Sequence, residues 1–107
     1  MGTETIAVLL ETAEKCRARA AEDPAHLAGL ATGLAALAAA YNEHGEFPDA
    51  VATAEEAVQT WRSAGGHAAE LAEALTVLSG YYLDIGLDEE ANAAAVEAAE
   101  LTPPARG

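Results

Sequence analysis

Basic residues are scarce in this chain of 107 residues. Five lysines and arginines face 18 aspartates and glutamates, which gives a formal net charge of −13. Nucleic-acid binding depends on a basic patch that neutralises phosphates, so we expect no nucleic-acid partner. The acidic residues are spread along the chain, which is typical of a solvated surface that keeps an alanine-rich protein soluble. A preference for basic partners is the alternative interpretation.

Cysteine and long apolar segments are also scarce. The single cysteine, Cys16, cannot form an internal disulfide, and we expect it to be a small buried residue in a reducing compartment. Met1–Thr5 lacks the basic start of a signal peptide. No apolar run is expected to reach the roughly 18 residues that a membrane span needs. The sequence therefore predicts a cytoplasmic protein without a membrane partner.

Aromatic and β-branched residues are few, and no stretch alternates apolar and polar residues in the manner of a strand. Alanine, by contrast, occurs 29 times. Alanine has the highest intrinsic helix propensity, and its small side chain lets helices pack closely. The composition therefore predicts an all-α protein of one domain.

Residues that commonly carry catalysis or bind metals are few and unfavourably spaced. His26, His44 and His67 lie 18 and 23 residues apart, without the close pairs that give a metal site its specificity. Cys16 has no histidine near it in the sequence, and no glycine-rich phosphate loop is present. Adjacent acids such as Glu55-Glu56 are typical of solvated helix surfaces. We therefore expect no enzyme, no metal site and no cofactor.

The chain repeats itself with a period of 41 residues. The stretch Leu27–Trp61 predicts two antiparallel helices joined by a tight turn at Gly45, and most of the remaining chain is a copy or partial copy of it. Six pairs of identical residues lie at this offset: His26 and His67, Leu30 and Leu71, Leu34 and Leu75, Leu37 and Leu78, Tyr41 and Tyr82, and Gly45 and Gly86. The segment Thr53–Ala57 likewise matches Thr12–Cys16.

Five helices follow from the apolar spacing and the helix-ending residues. The first is predicted over about Thr3–Glu22, with Thr3 as its cap and a stripe formed by Ile6, Leu9, Leu10, Ala13 and Cys16. The second follows Asp23-Pro24 and ends at Gly45, the third begins at Pro48, the fourth ends at Gly86, and the fifth runs from its cap Asp88 to about Leu101. One domain results, with a half-repeat or cap at 3–22, repeats at 24–64 and 67–101, and a frayed tail at 102–107.

This pattern resembles the tetratricopeptide repeat. The residues that carry the resemblance in the first repeat are Leu34, Leu37, Ala38, Tyr41, Gly45, Phe47, Ala50, Ala54 and Ala57, and in the second Leu75, Leu78, Ser79, Tyr82, Gly86, Ala91, Ala95, Ala98 and Pro103. Asp88 departs from the pattern, where an aromatic residue is usual. The period is also longer than the usual length of about 34 residues. Such elongated repeats are similar to those of large bacterial regulators and kinesin-light-chain-type arrays.

The resemblance implies a right-handed α-solenoid of about two and a half repeats that acts as a non-enzymatic scaffold for protein contacts. In this family the first helix of each repeat lines a concave groove. The corresponding residues here are Thr32, Ala35, Ala39, Asn42, Glu43, Glu73, Thr76, Gly80, Leu83 and Asp84. Small and acidic residues at these positions favour a basic or helical peptide and disfavour the carboxylate-clamp function, which needs lysine and arginine. The chain would then be a small scaffold or a fragment of a larger regulatory protein.

Self-association is the alternative function. A solenoid needs polar outer faces at its two ends, and this chain has imperfect ones. We therefore expect a self-association edge, and a possible homodimer, at Leu9, Leu10, Ala94 and Leu101. The only basic cluster is Lys15, Arg17 and Arg19. It either pairs within its own helix, as Glu11 with Lys15, or docks on an acidic face of a second copy.

Overall fold

The fold is all-helical, and it is described by a computed structural model over residues 2–102, with side chains from residue 4 onward. Its five helices are α1 (Gly2–Glu22), α2 (Leu27–Glu43), α3 (Phe47–Ala64), α4 (Ala68–Asp84) and α5 (Asp88–Leu101), and a short 3-10 turn at Pro24–His26 precedes α2. Within residues 2–102 there is no strand. The prediction of an all-α chain with five helices is confirmed.

The two hairpins, α2–α3 and α4–α5, share one turn geometry. Gly45 and Gly86 have φ angles of 76° and 78°. Each glycine N–H donates to the carbonyl three residues before it at 3.1 Å, and the next residue donates to the carbonyl of Tyr41 or Tyr82 at 2.9 Å. This pair of bonds is the Schellman arrangement, which satisfies carbonyls at the end of a helix and needs a left-handed residue. The 41-residue period is therefore present in the backbone as well as in the sequence.

The helix starts follow the sequence less closely. Asp23 does cap the 3-10 turn, since its carboxylate accepts a hydrogen bond from the Ala25 N–H at 3.0 Å. Asp88 was expected to cap α5, but it is the first residue of that helix. The N-cap position is taken by Leu87, and no side-chain hydrogen bond caps the helix there. Asp88 instead adds negative charge to the first turn, where the helix dipole favours it. The expected cap at Thr3 involves a side chain outside the described part of the chain, and of the expected tail at 102–107 only Thr102 is described.

Each helix packs mainly on its neighbours in the sequence. Helix α2 packs against both α1 and α3, and α4 packs against both α3 and α5. Two clusters of buried residues result. One joins Leu30, Leu34 and Leu37 of α2 to Ala13 of α1 and Ala57 of α3. The other joins Leu75 and Leu78 of α4 to Val51, Ala54 and Val58 of α3 and to Ala94 and Ala98 of α5.

Two ion pairs link the helices that are not neighbours in the sequence. Arg17 of α1 contacts Glu56 of α3, and Arg62 of α3 contacts Glu97 of α5. Glu56 and Glu97 are 41 residues apart and therefore occupy the same place in the repeat. In each pair the arginine comes from the helix that is earlier in the chain and the glutamate from the later one.

One helical segment meets the length and composition criteria for a membrane span. Pro24–Glu43 is 20 residues long with a mean hydropathy of 1.2, which corrects the expectation that no apolar run would be long enough. The segment reaches this value because alanines cover the sides that leucines do not. Its Leu30, Leu34 and Leu37 are buried against α1 and α3, and a core helix can satisfy the same criteria. The cytoplasmic location stays a prediction.

Candidate functional site

A groove lies between α2 and α4, which do not pack closely on each other. It encloses about 420 Å³, within the range that is usual for ligand sites. We call it the α2–α4 groove. Its lining residues are Thr32, Ala35, Ala38 and Ala39 of α2, Ala54, Ala57 and Trp61 of α3, and Glu70, Glu73, Ala74, Val77 and Tyr81 of α4. The α3 residues are all buried, so α3 forms the floor.

The surface of this groove consists mainly of small apolar side chains. Ala35 on one wall is exposed, as is Val77 on the other, with 43% of its surface accessible. Trp61 lies at the floor, 8% exposed, with its ring centroid 5.0 Å from that of His67. Alanine walls allow a close approach of another backbone, and an exposed valine supplies apolar surface to cover.

Acidic residues flank both ends of the α2–α4 groove. At one end are Glu70, whose carboxylate lies 3.6 Å from His67 Nδ1, and Glu73. At the other end is Tyr81. Its pKa is raised by partial burial and by the charges of Asp84 and Glu43.

Several of the acids at this groove form no ion pair with the described part of the chain. Glu43, Glu73 and Asp84 form no ion pair with any described residue, and no lysine or arginine lines the groove. A groove with this arrangement can accept a cation at either end and apolar side chains between them.

The structure brings four of the ten residues expected in the groove to that place: Thr32, Ala35, Ala39 and Glu73. Six others do not line it: Asn42, Glu43, Thr76, Gly80, Leu83 and Asp84. On α4 the lining face is displaced by one residue, so that Val77 and Tyr81 replace Thr76 and Gly80. Thr76 donates its hydroxyl hydrogen bond to the Ala72 carbonyl at 2.9 Å. Asn42 is half-buried, and its Oδ1 is enclosed without a hydrogen-bond partner among the described residues.

Sequence reasoning missed Trp61, Val77 and Tyr81 as groove residues. Trp61 lies beneath the groove. Val77 and Tyr81 are four residues apart and stand outside the leucine stripe of α4. A second apolar face on a helix whose first face already fills the core was the signal that could have found them.

A second groove, between α3 and α5, has part of its charge already paired. It encloses about 430 Å³ and is lined by Glu55, Val58, Gln59, Arg62, Leu75, Leu78, Tyr82, Glu90, Ala93, Ala94 and Glu97. Arg62 binds Glu97 through two hydrogen bonds of 2.6 and 2.9 Å. The hydrogen bond from Arg62 lowers the pKa of Glu97, and the carboxylate in turn raises the pKa of Arg62.

Tyr82 makes a further hydrogen bond in this second groove. Its hydroxyl donates to Glu55 Oε2 at 2.5 Å. Burial, this hydrogen bond and the charges of Glu55 and Glu90 raise the pKa of Tyr82 to about 12. Because Arg62, Glu97, Glu55 and Tyr82 already have polar partners, the α3–α5 groove offers less to a charged partner than the α2–α4 groove does.

The expected self-association edge is corrected in part. Ala94 is 6% exposed and belongs to the core cluster of α4 and α5, because the face of α5 that carries it is turned toward Leu75 and Leu78. Leu101 and Leu9 are half-buried against the same two clusters. Only Leu10 is exposed, at 40%. A charge at Ala94 would therefore disturb the fold and not a free edge.

Among the described residues there is no group of three or more histidine, cysteine, aspartate or glutamate side chains that could hold a metal ion. Cys16 is a half-buried free thiol, and its partners lie in the cluster of α1 and α2. The chain matches no protein-family model, no curated protein and no solved structure. The geometry of the grooves and helix faces therefore has to carry the functional argument.

Proposed function

We propose that this protein is a non-enzymatic interaction module that binds a basic, helical segment of another protein in the α2–α4 groove. The finer architecture is a right-handed solenoid of the tetratricopeptide type, with α2–α3 and α4–α5 as its two full repeats and α1 as a cap. The observation that carries the proposal is the groove between α2 and α4, whose walls are apolar and whose nearby acids Glu43, Glu73 and Asp84 have no described ion-pair partner.

The chemistry of the groove defines the partner. Glu70 and Asp84 are separated by about 21 Å along α4, at a rise of about 1.5 Å per residue. A helix of similar length can place a lysine or arginine near each of these acids. Between them, alanine and leucine side chains would cover Val77 and the alanines of α2. Burial of this surface supplies the affinity, and the terminal charges set the orientation.

The test uses a synthetic peptide of about 18 residues, equivalent to about 27 Å of helix. It carries alanine and leucine in the middle and lysines in its first and last turns, and it contains no tryptophan. Trp61 is the only tryptophan of the protein and lies at the floor of the groove, so its fluorescence reports occupancy. We expect a saturable change with this peptide and none with a peptide in which glutamates replace the lysines.

Two matched variants locate the binding. Val77 and Leu83 are both exposed aliphatic residues of α4, at 43% and 57%, but only Val77 lines the groove. Val77→Lys should raise the dissociation constant at least about tenfold, whereas Leu83→Lys, with the same change in charge, should leave it nearly unchanged. Loss of binding with Leu83→Lys alone would place the site on the face that the repeat pattern predicts. No saturable change with wild-type protein would refute the proposal.

A further inference from the structure

The outer face of α5 is the equivalent of a face that is covered in α3. Val51, Ala54 and Val58 of α3 are buried in the cluster that α4 completes. At an offset of 41 residues, α5 carries Asn92, Ala95 and Ala99 in these places, and all three are exposed. The same positions of the repeat therefore meet a helix at α3 and meet no described residue at α5.

This uncovered face carries two alanines and one asparagine, and its surroundings are acidic. Val96, next to Ala95, is 49% exposed. Helix α5 carries five acids, Asp88, Glu89, Glu90, Glu97 and Glu100, and no basic residue. A second α5 is a poor occupant, because two such helices would bring ten carboxylates together. The charge of α5 calls for an occupant with basic residues beside an apolar surface.

Helix α1 carries four acids and three basic residues, and one of its flanks has these properties. Its Val8 is the most exposed large apolar residue of the described chain, at 62%. Lys15 and Arg19 follow Val8 at intervals of seven and four residues, and so they share one flank of the helix. Lys15 is paired only with Glu11 of its own helix, at 3.6 Å, in a largely exposed contact that contributes little.

Lys15 also occupies a repeat position at which α3 and α5 carry an acid. Its equivalents are Glu56 and Glu97, which accept an arginine from the preceding odd-numbered helix. The sign of the charge is therefore reversed in α1. A helix that precedes α1 at this position would need a carboxylate, and Glu100 of α5 is available for that role.

We infer that copies of this chain associate head to tail, with the outer face of α5 of one copy covered by the Val8–Lys15–Arg19 flank of α1 of the next. The two contacting surfaces differ, so the contact is heterologous. Such a contact leaves one free face at each end and adds copies in a series, unless the rotation closes a ring. This inference does not depend on the α2–α4 groove, because neither α1 nor α5 lines that groove.

The test measures solution mass by light scattering over a concentration series. For wild-type protein we expect a mass that rises steadily with concentration and falls toward the monomer in 1 M salt, where charges are screened beyond roughly 3 Å. Val8→Glu places an acid against acidic α5, and Val96→Lys places a cation against Lys15 and Arg19 of α1. Each variant alone should remain monomeric, and both substitutions fall on exposed positions, so circular dichroism should show an unchanged fold.

Mixing the two variants gives the decisive result. The Val8→Glu protein keeps an intact α5, and the Val96→Lys protein keeps an intact α1, so an equimolar mixture should recover association that neither shows alone. A wild-type protein that stays monomeric at high concentration would overturn the inference. A dimer that survives Val8→Glu would also overturn it, because it would show that α5 pairs with a surface other than α1.

Discussion

The hairpins α2–α3 and α4–α5 are built on the same turn, yet they are buried to different extents. Leu30 is 5% exposed, whereas its equivalent Leu71 is only half-buried. Val58 is buried, whereas its equivalent Ala99 is exposed. The first hairpin lies between α1 and α4, whereas within residues 2–102 the second hairpin is covered only on the side of α3. Local sequence therefore sets the shape of a hairpin, and its neighbours set its contribution to stability.

The largest expected difference between the hairpins concerns their leucines. Leu30→Ala should lower the free energy of unfolding by about 2–5 kcal/mol, as buried leucines do, because it leaves a cavity between α1 and α2. Leu71→Ala should cost about 1 kcal/mol, since much of that side chain already contacts solvent. Urea denaturation of both variants measures the difference. Equal losses would show that the second hairpin is as well supported as the first.

Substitutions of the two turn glycines should lower the stability of the two hairpins equally. Gly45→Ala and Gly86→Ala each place a side chain at a positive φ, which costs about 1–2 kcal/mol. A Cβ at either position would have open space around it, so the cost is backbone strain alone and should be the same in both hairpins. Gly80→Ala in the middle of α4 is the control, with a gain of about 0.5–1 kcal/mol. Unequal losses at the two turns would contradict their equivalence.

Tyr41 and Tyr82 occupy equivalent positions in the two hairpins, and they should contribute differently to stability. The Tyr82 hydroxyl bonds Glu55, and Tyr41 makes no side-chain hydrogen bond to another described residue. Tyr82→Phe should therefore cost about 0.5–1.5 kcal/mol and Tyr41→Phe less. The raised pKa of Tyr82 means that its contribution is complete below pH 10.0 and is lost as the pH rises through about 12.

Tyrosinate absorbance followed against pH measures this step. The wild-type protein should titrate one tyrosine near pH 12, and Tyr82→Phe should lack that step while Tyr41→Phe keeps it. Titration of Tyr82 at its ordinary pKa would mean that the hydrogen bond to Glu55 does not persist in solution.

The smallest effects are expected at the two ion pairs. Arg62→Ala and Arg17→Ala should each cost less than about 1 kcal/mol, because both pairs are substantially exposed. The pKa of Glu97 is lowered by Arg62, so the stabilisation is present above the unfolded-state pKa and is lost as the pH falls through the lower folded value. Denaturation at neutral and acidic pH should show a pH dependence in wild type that is reduced in Arg62→Ala.

The sequence was sufficient to predict the helices and the two turns. Glycine at the left-handed position, proline in the first turn and leucines spaced three and four apart are local signals, and each acts within its own helix. The core residues Leu34, Leu37, Leu75 and Leu78 follow from the same spacing, and all four are buried.

The groove was only partly predictable, for a physical reason. Which flank of α4 faces the groove depends on how the helix rotates when Leu75 and Leu78 pack against α3 and α5, and a family pattern of shorter period does not fix that rotation. The outer face of α5 was harder still to predict. In a helix composed mostly of alanine, the buried Ala94 and the exposed Ala95 have the same side chain, so hydrophobic periodicity cannot distinguish them.

The directional pairing of Arg62 with Glu97 has a consequence for the length of the molecule. A copy of residues 23–63 inserted after Ser63 adds 41 residues, which is one full period. Arg62 would then meet the Glu56 of the copy, and the arginine of the copy would meet Glu97. The insertion leaves the outer faces of α1 and α5 unchanged and lengthens the protein between them. We expect this longer protein to fold with the same α1 and α5 at its two ends. The length of the protein can therefore be increased in steps of one hairpin.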